Sequence, residues 1–238
     1  EHWGQLAAEI IKAPRSPMSR GWSQVVRSPQ EKEMIEIIGR NKGAIWLTGH
    51  LGNWELAAQW AARHGLRLVS IAHRSRNPRL HARMAKERQA RGHETVEMEG
   101  AFRGLIRALR KGAMVALLTD RNPRDTGILV PFFGRDILTV TTPALMSCAT
   151  GAPIVPFACL RDGRAFRYTL HIGPAIYPDL KAPREAEIAR LTRESTAALE
   201  RHIRLAPEQW QWMHRRWKIT PGGRKRAGLD AAAATSSR

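Results

Sequence analysis

Short apolar runs alternate with longer amphipathic stretches along most of this 238-residue chain, and that alternation narrows the fold more than any other feature. Five to seven apolar residues in a row fill a strand buried on both faces, whereas apolar residues three and four apart fill one stripe of a helix. Ala44-Ile45-Trp46-Leu47-Thr48, Leu66 to Ala72, Thr95 to Met98, Ala113 to Thr119, Ile154 to Leu160 and Phe166 to Ile172 read as strands. Helices are expected at 53–64, from Asn77-Pro78 to about Arg91, and at 101–111, with Gly65, Gly92 and Gly112 as stops. Two more follow at Thr142 to Thr150 and at 184–204, before a Trp-rich segment at 207–217 for which a C-terminal helix packed onto the core is one reading. The stretch 120–142 reads as a loop holding one short strand, Ile128-Leu129-Val130. Strands alternating with helices predict an α/β sandwich, with a central, mainly parallel or mixed sheet flanked by helices.

Hydrophobic residues at 43% and charged residues at 25% exclude a mostly disordered chain. One domain over 1–218 is expected, followed by a basic disordered tail at 219–238 around Pro221-Gly222-Gly223-Arg224-Lys225-Arg226. No apolar run approaches the roughly 20 residues that cross a bilayer. Cys148 and Cys159 are too few for a disulfide framework or a zinc site and read as inert core thiols in a reducing compartment. The charge is the unusual quantity. Lys and Arg number 39 against 21 Asp and Glu, a net +18, so an anionic partner is expected.

Polar clusters recur where strands end, which is where open α/β sheets gather their ligands. Thr48-Gly49-His50-Leu51-Gly52-Asn53-Trp54-Glu55 follows the first strand. On a helix, five residues turn through about 500°, so His50 and Glu55 would face apart. They meet only if His50 lies in the turn before the helix and folds back over its first turns, a turn that two glycines permit. A histidine backed by a carboxylate takes a proton from a hydroxyl, and the carboxylate fixes the tautomer and stabilises the imidazolium. The plainer alternative is a turn histidine with a glutamate favoured by the helix dipole. A second cluster, Thr119-Asp120-Arg121-Asn122-Pro123, places Asp120 at the same sheet edge, where it would position an arginine or a substrate group, or simply open a loop. Asn53 and Arg121 fall within these clusters and are expected to bind substrate. Arg88 and Arg91 end the next helix within a strongly basic stretch, and arginines suit phosphates and carboxylates. The segment Trp210-Gln211-Trp212-Met213-His214-Arg215-Arg216-Trp217-Lys218 interleaves Trp with cations, a pattern for a membrane interface, cation–π stacking, nucleic-acid binding or core packing.

Several chemistries lack their motifs. There is no G-x-S-x-G, no G-x-x-x-x-G-K-[ST], no G-x-G-x-x-G and no H-E-x-x-H. No metal and no cofactor are expected.

These residues resemble the bacterial lipid A biosynthesis late acyltransferases, the lauroyl and myristoyl group within the wider glycerolipid-type acyltransferases. His50 to Glu55 is similar to their H-x4-(D/E) signature, and Lys111-Gly112 through Asp120 to their second block. Val130-Pro131-Phe132-Phe133-Gly134, Thr150-Gly151-Ala152-Pro153-Ile154-Val155-Pro156, and Pro207 through Trp217 are similar to the later ones. The resemblance runs in order over about 40–218. It implies transfer of a fatty acyl chain from acyl carrier protein to a hydroxyl of a phosphorylated lipid A precursor, at the cytoplasmic face of the inner membrane. It also implies His50 as general base, Glu55 as its partner, and Asp120 with Arg88 or Arg91 as supporting groups. Family members begin with a membrane-anchoring helix, so the start at Glu1 carries the expectation of an anchor upstream.

Attack of a hydroxyl on a thioester needs a base and stabilisation of the carbonyl oxygen, with no metal. An acidic carrier protein and a phosphorylated acceptor both account for the positive charge. An alternative keeps the chemistry and changes the acceptor to a phosphatidylinositol mannoside, another glycolipid or an ornithine lipid, with acyl-CoA as donor. A nucleic-acid-binding role explains the charge but not the polar clusters at strand ends, and no nucleic-acid partner is expected.

Overall fold

The computed structural model describes residues 2, 4–6, 25–41, 43–72, 78–90, 93–97, 100–124, 126–220 and 222–223. The expected tail beyond 223 lies outside them. Thr220 donates its hydroxyl to the Arg124 carbonyl at 3.1 Å.

Strand β1 (Val26–Arg27) and helix α1 (Glu31–Asn41) precede the first expected strand, β2 (Ala44–Thr48). Then come α2 (Trp54–Arg63), β3 (Leu68–Ala72), α3 (Pro78–Gln89), β4 (His93–Glu97), α4 (Ala101–Arg110) and β5 (Met114–Leu118). A hairpin, β6 (Ile128–Phe132) and β7 (Arg135–Thr139), leads to α5 (Thr142–Thr150), β8 (Ile154–Arg161), β9 (Tyr168–Ile172) and the long α6 (Arg184–Leu205). The seven-stranded sheet runs β1-β9-β8-β2-β5-β3-β4. It is parallel except where β9 pairs antiparallel with β8. This is the α/β architecture that the alternation implied.

Period-two side-chain alternation divides the core. In β2, Ala44 and Trp46 face one layer with Leu56, Trp60 and Met34, while Ile45 and Leu47 face the other with Leu105, Leu109 and Leu199. Trp46 stacks on Phe157 with ring centroids 3.9 Å apart. Helices α1 and α2 thus cover one face, and α4 and α6 the other.

Three expectations are corrected. Residues 135–139 are a strand, not loop, and β6 extends to Phe132. Phe133 and Gly134 turn the hairpin with φ of 51° and 74°, the paired positive values of a tight two-residue turn. The Phe133 amide donates to Glu200 Oε2 at 2.7 Å, and Arg204 stands over its ring at 4.8 Å, so α6 holds this conformation in place. Alternation in Arg135-Asp136-Ile137-Leu138-Thr139 is weak, and a strand without a clear period escapes a pattern reading. Next, β4 starts at His93, two residues before the expected Thr95, because pairing with β3 at Leu68↔His93 fixes it. Lastly, the Trp-rich segment is not a helix. A short 3₁₀ turn at Pro207–Gln209 gives way to an extended Trp210, which bridges Leu51 across the β2–α2 turn, and then to successive turns over 212–217.

Candidate active site

Strands β2 and β5 are neighbours, parallel and in register, with Thr48 opposite Leu118. The chain leaves both strands on the same side, and Thr119 N–H bonds the Thr48 carbonyl at 3.0 Å. His50 and Asp120 therefore emerge side by side, each two residues past that last pair. Asp120 Oδ1 lies 2.7 Å from His50 Nδ1, and Asp120 Oδ2 accepts the His50 backbone N–H, also at 2.7 Å. The Trp210 indole N–H donates to Oδ2 at 3.0 Å.

Asp120 is fully buried, while the His50 side chain keeps 16% exposure. Burial by itself pushes the Asp120 carboxyl up, but the His50 and Trp210 hydrogen bonds outweigh it and hold the group below the usual carboxylate range. An ionised carboxylate only accepts, so in the neutral ring of His50 the hydrogen belongs on Nδ1 and the lone pair on Nε2. That is the tautomer of a general base.

Sequence reasoning paired His50 with Glu55; the structure brings it to Asp120 instead. His50 does sit in the turn before α2, as such a pairing requires. Glu55, however, lies in the first turn of α2 and forms an ion pair with Arg88 near the end of α3. The second contact of that pair, Arg88 Nε to Glu55 Oε2, is 3.4 Å. Buried His93 lies in the field of this pair and bonds Ser70 Oγ through Nε2 at 2.7 Å. Asn53 caps α2, its Oδ1 accepting from Leu56 N–H at 3.1 Å, and it is buried. Arg121 is exposed beside Asp120. Arg91 lies outside the described residues.

Two glycines make the turn possible. A Cβ on Gly49 would stand 3.0 Å from the Asp120 carboxylate and 3.1 Å from Leu199. Gly52, with φ of 59°, lies so close to β8 that a Cβ would meet the Cys159 carbonyl oxygen at 2.0 Å. Asn53 N–H bonds that same oxygen at 2.8 Å. From above, Gln209 and Gln211 clamp the turn through Gly52 N–H to Gln209 O at 3.2 Å and Gln211 N–H to His50 O at 3.0 Å.

Three functional-site neighbours were missed as such. The sequence leaves the three tryptophans open between an interface and the core; Trp210 is fully buried and bonds the carboxylate, a contact the pattern does not show. The His214 ring packs edge-on against His50 with centroids 5.0 Å apart, and burial, aided by the nearby His50, lowers its pKa. Arg216 is buried, bonding the Leu138 carbonyl and Thr139 Oγ1, and burial lowers its pKa to about 10 while Asp120 opposes the shift. The only sequence signal for these contacts was the clustering of polar groups within the Trp-rich segment. Among the described residues, no group of three or more His, Cys, Asp or Glu side chains could hold a metal ion, and no helix is long and apolar enough to cross a membrane.

A buried carboxylate, an accessible imidazole and a clamped turn form a base suited to activating a hydroxyl. Known proteins similar to this chain are acyltransferases. Over 237 residues the chain is 28% identical to a phosphatidylinositol mannoside acyltransferase of Mycobacterium tuberculosis, covering 96% of this chain and 72% of the relative. It is 32% identical over 132 residues to the lipid A biosynthesis lauroyltransferase of Escherichia coli, covering 51% of this chain and 39% of the relative. The lipid A biosynthesis palmitoleoyltransferase of the same organism is 29% identical over 126 residues. These relatives are all named acyltransferases, and this protein is an enzyme of that class. The family model described as bacterial lipid A biosynthesis acyltransferase matches residues 1–219, and the chain belongs to that family.

Proposed function

We propose that this protein moves a fatty acyl chain from a thioester donor, acyl-acyl carrier protein, to a hydroxyl of a phosphorylated glycolipid, with His50 as general base. The contact that carries this reading is the 2.7 Å bond between His50 Nδ1 and Asp120. His50 Nε2 takes the proton from the acceptor hydroxyl as its oxygen attacks the thioester carbonyl. Asp120 stabilises the imidazolium that forms. As the C–S bond breaks, the imidazolium returns the proton to the leaving sulfur. Atoms balance: one ester and one thiol replace one alcohol and one thioester.

Glu55 acts at one remove in this reading. Its ion pair with Arg88 ties α2, which starts from the His50 turn, to α3. A net +18 suits an acceptor phosphate and an acidic carrier protein. The enzyme works at the cytoplasmic face of the inner membrane, where such acceptors are lipids.

Two acceptors are supported by different observations. The family match and the lauroyltransferase similarity favour a lipid A precursor. Similarity over nearly the whole chain favours a phosphatidylinositol mannoside. Mass spectrometry of products from both acceptors, each offered with acyl carrier protein and acyl-CoA thioesters, separates them. His50→Ala is expected to lower transfer by roughly 10²–10⁴-fold while folding normally. Turnover close to wild type in that folded variant defeats the assignment of the base.

A further inference from the structure

Trp212 and Met213 form a turn that stands out from the aromatic cluster, 51% and 75% exposed. The Trp212 indole N–H is already bonded to the Pro207 carbonyl at 2.7 Å. Its polar edge is thus satisfied, and what it offers to the outside is apolar. Leu205, two residues before Pro207, is 58% exposed. Single exposed apolar residues are ordinary, but a Trp, a Met and a Leu within nine residues of chain are not.

Cations surround this tip. Arg204, Arg215 and Lys218 are exposed, with Glu208 among them and Arg204 paired to Glu200 at 2.6 Å. Arg204 stands over Phe133, whose ring centroid is 6.4 Å from that of Trp212. The Asn122 side-chain amide donates to the carbonyls of both Arg215 and Lys218, joining this segment to the loop that carries exposed Arg121. Behind the tip is the base: His214, the residue after Met213, packs its ring against His50. Trp and Met flanked by Arg and Lys suit the boundary between headgroups and acyl chains.

We propose that the Trp212–Met213 turn, with Arg121, Arg204, Arg215 and Lys218 around it, seats this protein on an anionic lipid bilayer and brings His50 to the interface. The inference rests on reading the acceptor as a membrane lipid. An acidic protein would pair with the same cations, but the substrate that must reach His50 is then still in the bilayer, so the lipid surface is the occupant favoured here.

Vesicles test it without any turnover. The full chain is expected to co-sediment with phosphatidylglycerol vesicles at least about tenfold more tightly than with phosphatidylcholine vesicles, since each cation near an anionic surface adds to the attraction. Vesicles carrying brominated acyl chains should quench Trp emission, and Trp212→Phe should remove most of that quenching. Met213→Asp, at a position too exposed to unfold the protein, should weaken phosphatidylglycerol binding at least about tenfold. Unchanged binding by Met213→Asp, or unchanged quenching in Trp212→Phe, overturns the proposal. So does the absence of vesicle binding, with or without loss of affinity for acidic acyl carrier protein in Met213→Asp; a loss would mark the tip as a protein dock. Because binding is read directly, failure here is distinct from failure to find acyl transfer.

Discussion

Asp120 grips His50 at two points, the ring Nδ1 and the backbone amide, both at 2.7 Å. The carboxylate thereby sets both the tautomer of the imidazole and the path of the turn that presents it. Asp120→Asn keeps the shape but offers an amide where an acceptor is needed. Its turnover should fall by roughly 10²–10⁴-fold, with substrate affinity changed far less. Steady-state kinetics on the folded variant check this; a loss confined to KM would contradict it.

Glu55 and Arg88 should behave as one unit. Glu55→Gln and Arg88→Gln are each expected to lower kcat/KM, and the double variant should lose little more than the worse single one. Paired groups are non-additive in this way, whereas independent ones multiply. Multiplying losses in a double-mutant cycle would return Glu55 to a direct role on His50.

Gly49 and Gly52 sit three residues apart and should fail differently. Gly49→Ala meets the Asp120 carboxylate at 3.0 Å, at a backbone angle that alanine accepts. The carboxylate must give way, so activity should drop about 10- to 100-fold with little loss of stability. Gly52→Ala meets backbone at 2.0 Å and carries a positive φ as well. It should cost at least about 2 kcal/mol of stability. Thermal melts beside activity assays distinguish the two outcomes.

Trp210→Phe keeps an aromatic ring in the core but removes the N–H that Asp120 Oδ2 accepts at 3.0 Å. A buried charged acceptor losing one donor costs about 1.5–3 kcal/mol. Urea unfolding at neutral pH should show that loss, and a change under about 0.5 kcal/mol would mean the bond contributes little.

Acid should weaken the fold through two buried histidines. Burial lowers the pKa of both His93 and His202 to about 4, so both stay neutral in the native state at pH 5. In the unfolded chain they protonate near 6.5, and the unfolded state then binds more protons. Stability is therefore full above about pH 6.5 and falls as pH drops toward 4, by about 2 kcal/mol per histidine at pH 5. In His202→Gln the fall between pH 7 and pH 5 should shrink by about that amount. An unchanged slope in urea titrations would show that His202 protonates alike in both states.

Much of this protein could be read along the chain. The strands β2, β5 and β8 are dense apolar runs, and the glycines stopping α2 and α4 mark their ends, so element types and the α/β class followed from local pattern. The His50 and Asp120 clusters were visible as polar groups at strand ends, because a buried strand must stop being apolar where it surfaces.

Which carboxylate serves His50 was not legible. Sequence spacing favoured Glu55, five residues away, but a helix turn carries that side chain round to Arg88. Asp120, 70 residues away, arrives because β2 and β5 pair in parallel register, and register is a property of two strands together. The clamp by Trp210 and the wall formed by His214 depend likewise on where the chain returns after α6. The local pattern determined which elements exist and where their polar ends fall. Only tertiary packing decided which of those ends meet, since hydrogen bonds between distant residues are set by strand order and burial, not by distance along the chain.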